Sequence, residues 1–114
     1  MRFVAMFSYG PNWQAGKTVY QQGAPIEGHL ESMRRRFDEG FLLLGGPFDD
    51  GGGIAVIEAQ DEEEAATLLD LDPAVMAGVL SYRLHRLHAY FDAFASVRTE
   101  VSVADLAYYQ LQVG

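Results

Sequence analysis

The sequence predicts an α+β fold of the ferredoxin-like kind, with an antiparallel sheet and the element order β-α-β-β-α-β. Four short runs rich in aromatic and β-branched residues alternate with two segments in which apolar residues recur at helical spacing. Clusters of Gly, Pro and Asp, which are typical of turns, separate these segments. This order is that of the ferredoxin-like unit, and a chain of 114 residues has room for one such core.

The first strand is predicted over residues 2–9, where nearly every side chain is apolar or aromatic. Gly10, Pro11 and Asn12 then form a strong turn signal. An apolar run without alternation indicates a strand covered on both faces, and we expect helices on one face and a pocket or a second subunit on the other. The loop that follows, up to Ala24, is long for a compact domain, and such loops often carry function.

The first helix is predicted from Pro25, which suits a first helical turn, to Gly40. Apolar residues spaced i, i+4, i+7 and i+11 predict one buried stripe, made of Ile26, Leu30, Met33 and Phe37. We expect the helix to pack on the sheet through that stripe.

Two apolar runs, residues 41–44 and 54–59, are joined by a turn rich in Gly and Asp and predict a β-hairpin. Asp61, with Glu64 three residues later, forms a capping-box pattern. The acidic first turn suits the positive end of a helix dipole, so the second helix is predicted to run from there to about Asp70.

Asp72 and Pro73 predict the N-cap and first position of a short helical turn that ends at Gly78. Residues 80–91 follow and alternate in polarity, which predicts a last strand with one solvated or paired face.

The domain boundary is predicted after this strand, with the ferredoxin-like domain at residues 1–91 and a C-terminal extension at residues 92–114. In the extension, apolar residues recur at helical spacing after Ser102. We expect an extra C-terminal helical segment, packed on the domain or on a dimer partner.

Composition narrows the classes of function. The formal net charge of −8 is the wrong sign for gripping a phosphate backbone, so nucleic acid is not an expected partner. No apolar run approaches the length needed to cross a bilayer, and no membrane partner is expected. The absence of Cys excludes thiol catalysis and cysteine zinc sites and fits a cytoplasmic location. No cofactor is indicated.

Three local patterns occur in the order found in the YCII-related (YciI-like) family, namely Gly28-His29-Leu30, Gly45-Gly46-Pro47 and Asp72-Pro73. The chain resembles this family over roughly residues 3–91. The resemblance implies a dimeric α+β barrel with a cleft in which His29 and Asp72 approach each other. One branch of the family looks like a dehydrochlorinase acting on hydroxylated aromatics, and the fold is similar to that of muconolactone isomerases. The basic residue that often precedes the histidine in the family is absent here.

His29 and Asp72 are the candidate catalytic residues. At the edge of the predicted stripe, His29 suits a cleft, although an ordinary boundary histidine would lie there too. Asp72 is explained as a helix cap, but one carboxylate oxygen can cap while the other accepts a hydrogen bond from imidazole. As a pair they would support general acid–base catalysis, with Asp72 fixing the tautomer of His29 and favouring its protonated form.

Five further residues are candidate substrate-binding residues. Tyr9 and Trp13 can form an aromatic pocket, since both have polar groups and lie near a turn. Arg36, two turns after His29, can meet an anionic substrate or lie in solvent. Gly46 and Pro47 can bring backbone close to a ligand or simply end a strand.

No metal site is predicted. His85 and His88 are three residues apart on the last strand and would point to opposite faces of the sheet.

The sequence therefore predicts a homodimer that binds a small organic molecule and is a candidate acid–base enzyme, an isomerase or a lyase of the dehydrochlorinase kind. A non-catalytic ligand-binding or accessory domain is the alternative, and cofactor-free oxygenase chemistry is a third.

Overall fold

The computed structural model of the chain describes residues 1–94. Within them the main elements are four strands, three helices and one 3-10 turn: β1 (Arg2–Tyr9), the 3-10 turn (Val19–Gln21), α1 (Ala24–Asp38), β2 (Leu42–Pro47), β3 (Gly53–Glu58), α2 (Glu62–Asp70), α3 (Pro73–Met76) and β4 (Leu80–Leu87). The helix predicted after Ser102 lies outside the described residues. No helix of the described part combines the length and the apolar character needed to span a membrane.

The strands form one antiparallel sheet in the order β2-β3-β1-β4. The two central strands are β1 and β3, and α1 follows β1 while α2 follows β3. The predicted α+β fold of the ferredoxin-like kind is therefore confirmed.

One face of the sheet is buried beneath the helices. Phe3, Ala5 and Phe7 alternate along β1 and are all buried, and they pair with the buried face of β3. Val4 and Met6 point to the other face and are half-buried. Both faces of β1 are apolar, but within the described residues the helices cover one of them.

Two strand boundaries differ from the sequence prediction. The last strand ends at Leu87 rather than at residue 91, because its partner β1 begins at Arg2, opposite Leu87. Residues beyond Leu87 therefore have no β1 backbone to pair with. Strand β2 extends past residue 44 to Pro47, which an edge strand tolerates because it need not donate a hydrogen bond on its outer side.

The predicted stripe of α1 is wrong in two of its four members. Ile26 is buried, but Leu30 and Phe37 are each more than half exposed, at 54% and 53%. The inward surface instead includes the buried Ser32 and the half-buried His29. The helix packs against α3 as well as the sheet, and Leu30 borders an open cavity instead of packed core, which leaves it exposed.

Candidate active site

The side chains of His29 and Asp72 are in direct contact. His29 Nδ1 lies 2.9 Å from both carboxylate oxygens of Asp72. His29 projects from the second turn of α1, and Asp72 is the N-cap of α3. The contact thus joins two helices that are 43 residues apart in sequence.

A glycine makes this approach possible. A Cβ atom placed on Gly28 would lie 2.8 Å from Cβ of Pro73, which is closer than real Cβ contacts allow. The absence of a side chain at Gly28 therefore lets α1 lie directly on the start of α3. His29 and Asp72 are the sequence neighbours of these two residues, so the same close packing brings them together.

Asp72 is fully buried and its carboxylate has several partners. Oδ2 accepts hydrogen bonds from the backbone N–H groups of Ala74, at 3.0 Å, and Val75, at 3.3 Å. Both oxygens also face the imidazole of His29. A buried carboxylate needs such partners, and here the helix cap and the histidine supply them together.

This arrangement defines the tautomer of His29. An ionised carboxylate can only accept hydrogen bonds, so Nδ1 of the imidazole carries the proton that points to Asp72. Phe7 meets the His29 ring edge-on, with centroids 5.5 Å apart and planes at 80°, which limits rotation of the ring. Nε2 remains as the nitrogen that a bound molecule can reach.

His29 lies in the wall of a cavity of about 330 Å³. The cavity is bordered by α1, by the buried faces of β1 and β3, and by the turn between β2 and β3. Most of its lining is apolar or aromatic, with Ile26, Met33 and Leu42 on one side and Val19 and Tyr20 from the long loop on another. Its size and character suit a small organic molecule.

Two aromatic rings form a flat wall of the cavity. Tyr9 and Trp13 are stacked, with centroids 3.9 Å apart and an angle of 12° between their planes. The glycine-rich turn lies close by, since a Cβ atom on Gly51 would be 2.8 Å from the hydroxyl oxygen of Tyr9. A side chain at Gly51 would therefore clash with Tyr9, and the glycine allows the stacked pair to lie against the turn.

The loop that carries Trp13 is organised by a buried glutamine. Gln22 is only 2% exposed, and its Oε1 accepts from Gln14 N at 2.8 Å. Its Nε2 lies within hydrogen-bond distance of the carbonyl oxygens of Gln14, Lys17 and Thr18. Nothing in the sequence pattern singles out Gln22, because its role depends on backbone groups that only the folded loop brings together.

The candidate binding residues divide into two groups. Tyr9, Trp13, Gly46 and Pro47 line the cavity together with His29, and Asp72 lies behind the histidine. Arg36 is not in the lining. It lies two turns beyond His29 on α1, in a separate small recess beside Phe41 and Leu68, and reaches toward Glu39 at 3.5 Å.

The ionisable residues of the lining are few. They are His29, Tyr9, Tyr20 and Asp49, of which Tyr20 and Asp49 are not among the residues that the sequence patterns indicate. Within residues 1–94 no group of three or more His, Cys, Asp and Glu side chains could hold a metal ion. The arrangement offers one histidine nitrogen, a buried carboxylate behind it and a largely apolar space in front.

Comparisons with known proteins agree with the fold. A family model described as the YCII-related domain matches residues 1–87. The uncharacterized protein YjpA of Bacillus subtilis (strain 168) is 44% identical over 54 residues, or 46% of this chain and 64% of that protein, so the match spans slightly less than two thirds of its length.

Among solved structures, the chain is similar to 5-chloro-2-hydroxyhydroquinone dehydrochlorinase (TftG) from Burkholderia phenoliruptrix AC1100, in its complex with 2,5-dihydroxybenzoquinone. The TM-score is 0.59 and the identity 19%, and the match covers 76% of this chain and 93% of the other. A likeness of this kind shows that the two chains share a fold.

Proposed function

Since the chain belongs to the YCII-related family, as its three sequence patterns predicted, we propose that it binds a small organic molecule in the cavity and transfers protons on it with the His29–Asp72 pair. The observation that carries this proposal is the contact of 2.9 Å between His29 Nδ1 and the buried carboxylate of Asp72 at the wall of the cavity. A charge partner behind a histidine that faces a cleft is a frequent mark of acid–base sites.

The proposed chemistry starts with Nε2 of His29 acting as a base. It takes a proton from an acidic C–H or O–H group of the bound molecule, and the imidazolium that forms is stabilised by Asp72. Returning the proton to a different atom completes an isomerisation. Departure of an anionic leaving group, with the proton released to solvent, completes an elimination.

The structural neighbour supports an elimination of this kind, since that protein is named as a dehydrochlorinase and its structure contains 2,5-dihydroxybenzoquinone. At 19% identity this is support by analogy of fold. The choice of His29 and Asp72 rests on their geometry in this chain.

The test is a screen of hydroxylated and chlorinated aromatic compounds, which follows chloride release and isotope exchange with deuterated water. We expect at least one compound to react with the wild type, and His29→Gln to lower turnover by about 10²-fold or more, the usual contribution of a positioned acid or base. The matched control is His88→Gln, because His88 does not line the cavity. Equal turnover by wild type and His29→Gln would overturn the catalytic role.

A non-catalytic binding domain is the second outcome of the same screen. Compounds that shift the NMR signals of Trp13 without any turnover would favour it. A requirement for oxygen in the turnover would instead favour oxygenase chemistry.

We further propose that the protein is a homodimer that pairs through the open face of the sheet, which is the face away from the helices. Apolar side chains meet there at the centre of the sheet, where Val56 pairs with Val4 on one side and Leu44 on the other. Leu44 is 56% exposed, so this face has apolar surface to bury against a second copy.

Analytical ultracentrifugation at micromolar concentration tests the dimer. We expect a dimer for the wild type and a monomer for Val56→Glu, because the new charge would be buried at the contact. Leu71→Glu is the matched control, since Leu71 is an exposed apolar residue that follows α2 on the helical side. A monomeric wild type would remove the proposal.

A further inference from the structure

The charges around the cavity are of one sign. Of the described residues that line it, none is a lysine or an arginine. Asp49 contributes an exposed carboxylate in the turn after β2, and the carboxylate of Asp72 lies directly behind His29. We propose that the cavity selects uncharged planar hydroxy compounds and discriminates against their carboxylate analogues, an inference that rests on the small-molecule function proposed above.

Three cationic side chains on α1 and in the long loop contact residues outside the cavity lining. Arg36 lies outside the lining and reaches toward Glu39, and Arg34 pairs with Asp38 on the exposed side of α1. In the long loop, Lys17 Nζ donates to Gln14 Oε1 at 2.8 Å.

Protonation of His29 does not supply the missing positive charge. Asp72 contacts Nδ1 at 2.9 Å, so the imidazolium and this carboxylate together carry no net charge. When His29 is neutral, the pair is negative. An anion in the cavity would therefore lose its hydration without gaining a partner of opposite charge, and burial of an unpaired charge is unfavourable.

An uncharged hydroxy compound meets no such penalty. Its hydroxyl group can donate a hydrogen bond to Nε2 of His29, the nitrogen that Asp72 leaves available. Its ring can lie against the flat wall formed by Tyr9 and Trp13, and the rest of the lining is apolar. The site thus matches the polar group and the ring of such a ligand and leaves an added carboxylate without a partner.

The test compares two probes of nearly the same shape, 4-hydroxybenzamide and 4-hydroxybenzoate, which at neutral pH differ in the charge of one group. Binding is followed by NMR through the indole N–H signal of Trp13, which is the one tryptophan of the chain. We expect the wild type to bind the amide about ten-fold or more tightly than the carboxylate at low ionic strength.

Two variants locate the source of the discrimination. Asp49→Asn is expected to narrow the preference by about three-fold, because it removes one carboxylate from the cavity wall. Asp50→Asn is the matched control, since Asp50 is the next residue in the same turn and does not line the cavity. It should leave the preference unchanged.

The outcomes separate the two proposals. If 4-hydroxybenzoate shifts the Trp13 signal and binds as tightly as the amide or more tightly, the cavity is a binding site and the charge selection is overturned. If neither probe shifts the signal at millimolar concentration, and the hydroxylated and chlorinated compounds of the wider screen do not either, both the small-molecule function and the selection fail. If Asp49→Asn and Asp50→Asn change the preference for the amide by the same factor, Asp49 is not the source of the discrimination.

Discussion

Gly28 and Pro73 are packed so closely that a single methyl group between them would clash, with its carbon 2.8 Å from Pro73 Cβ. This relationship links two patterns that are far apart in the sequence. The residue after Gly28 is His29 and the residue before Pro73 is Asp72, and their side chains meet at 2.9 Å. The packing of the backbone and the geometry of the candidate active site therefore have the same origin.

Replacing Gly28 should show this dependence. Alanine favours helix over glycine by about 1 kcal/mol, yet Gly28→Ala is expected to destabilise the protein by about 1–3 kcal/mol, because the new methyl group overpacks the contact with Pro73. Urea denaturation measures the change in the free energy of unfolding. Gly46→Ala serves as control, since a Cβ atom there meets nothing within 4 Å. A stabilised Gly28→Ala would contradict the close contact.

Asp72 should act on His29 as well as on the helix that it caps. Asp72→Asn keeps an oxygen for the cap but loses the charge, so the Nδ1-protonated tautomer of His29 should become less populated, as seen in ¹⁵N-resolved NMR of the imidazole. We expect a loss of stability of about 1.5–3 kcal/mol, the range for a hydrogen bond to a charged group.

Asp61→Asn is the matched control for Asp72→Asn. Asp61 is also an N-cap, and it accepts from Glu64 N at 2.8 Å, but it is exposed and its hydrogen bond is to its own helix instead of to a histidine. This variant should leave the His29 tautomer unchanged. Equal NMR spectra of His29 in the wild type and in Asp72→Asn would show that Asp72 is no more than a cap.

Gln22 should be needed for the order of the loop that carries Trp13. Gln22→Met keeps the length of the side chain but leaves buried backbone groups of the loop without partners, a cost of about 1–3 kcal/mol. Amide hydrogen exchange in residues 14–22 should become faster. Gln21→Met is the control, because Gln21 is exposed and its side chain accepts from Thr18 N. Unchanged exchange in Gln22→Met would contradict the role.

Tyr82 should lose its contribution to stability in alkaline solution. Burial, followed by the hydrogen bond to Asp70, raises the pKa of Tyr82 from 10.0 to about 12. Because the pKa is raised in the folded state, the contribution is fully present below pH 10 and is lost as the pH rises toward 12. We therefore expect the stability difference between wild type and Tyr82→Phe, about 0.5–1.5 kcal/mol at neutral pH, to shrink over that interval.

Absorbance of tyrosinate gives a direct check of the same pKa. The difference in absorbance between wild type and Tyr82→Phe should show one tyrosine that titrates near pH 12. A Tyr82 that titrates at pH 10 would contradict the partial burial of its hydroxyl and its hydrogen bond to Asp70.

The secondary-structure elements and their order could be predicted from patterns within the sequence. Strands, turns and helix caps depend on interactions between residues that are close in sequence. Caps such as Asp61 and Asp72 can therefore be recognised from the sequence without knowledge of the fold. The family resemblance added the pairing of His29 with Asp72. Local patterning also showed that both faces of β1 are apolar.

Which residues are in contact across the fold depends on the tertiary structure. The face that α1 turns inward depends on the elements that pack against it, so the exposure of Leu30 and Phe37 could not be read from their spacing. The end of β4 depends on where its partner begins. Gln22, Asp49 and Arg36 likewise have their surroundings set by residues distant in sequence, and no local pattern encodes those neighbours. Secondary structure is a short-range property, whereas a binding site is a property of contacts across the whole chain.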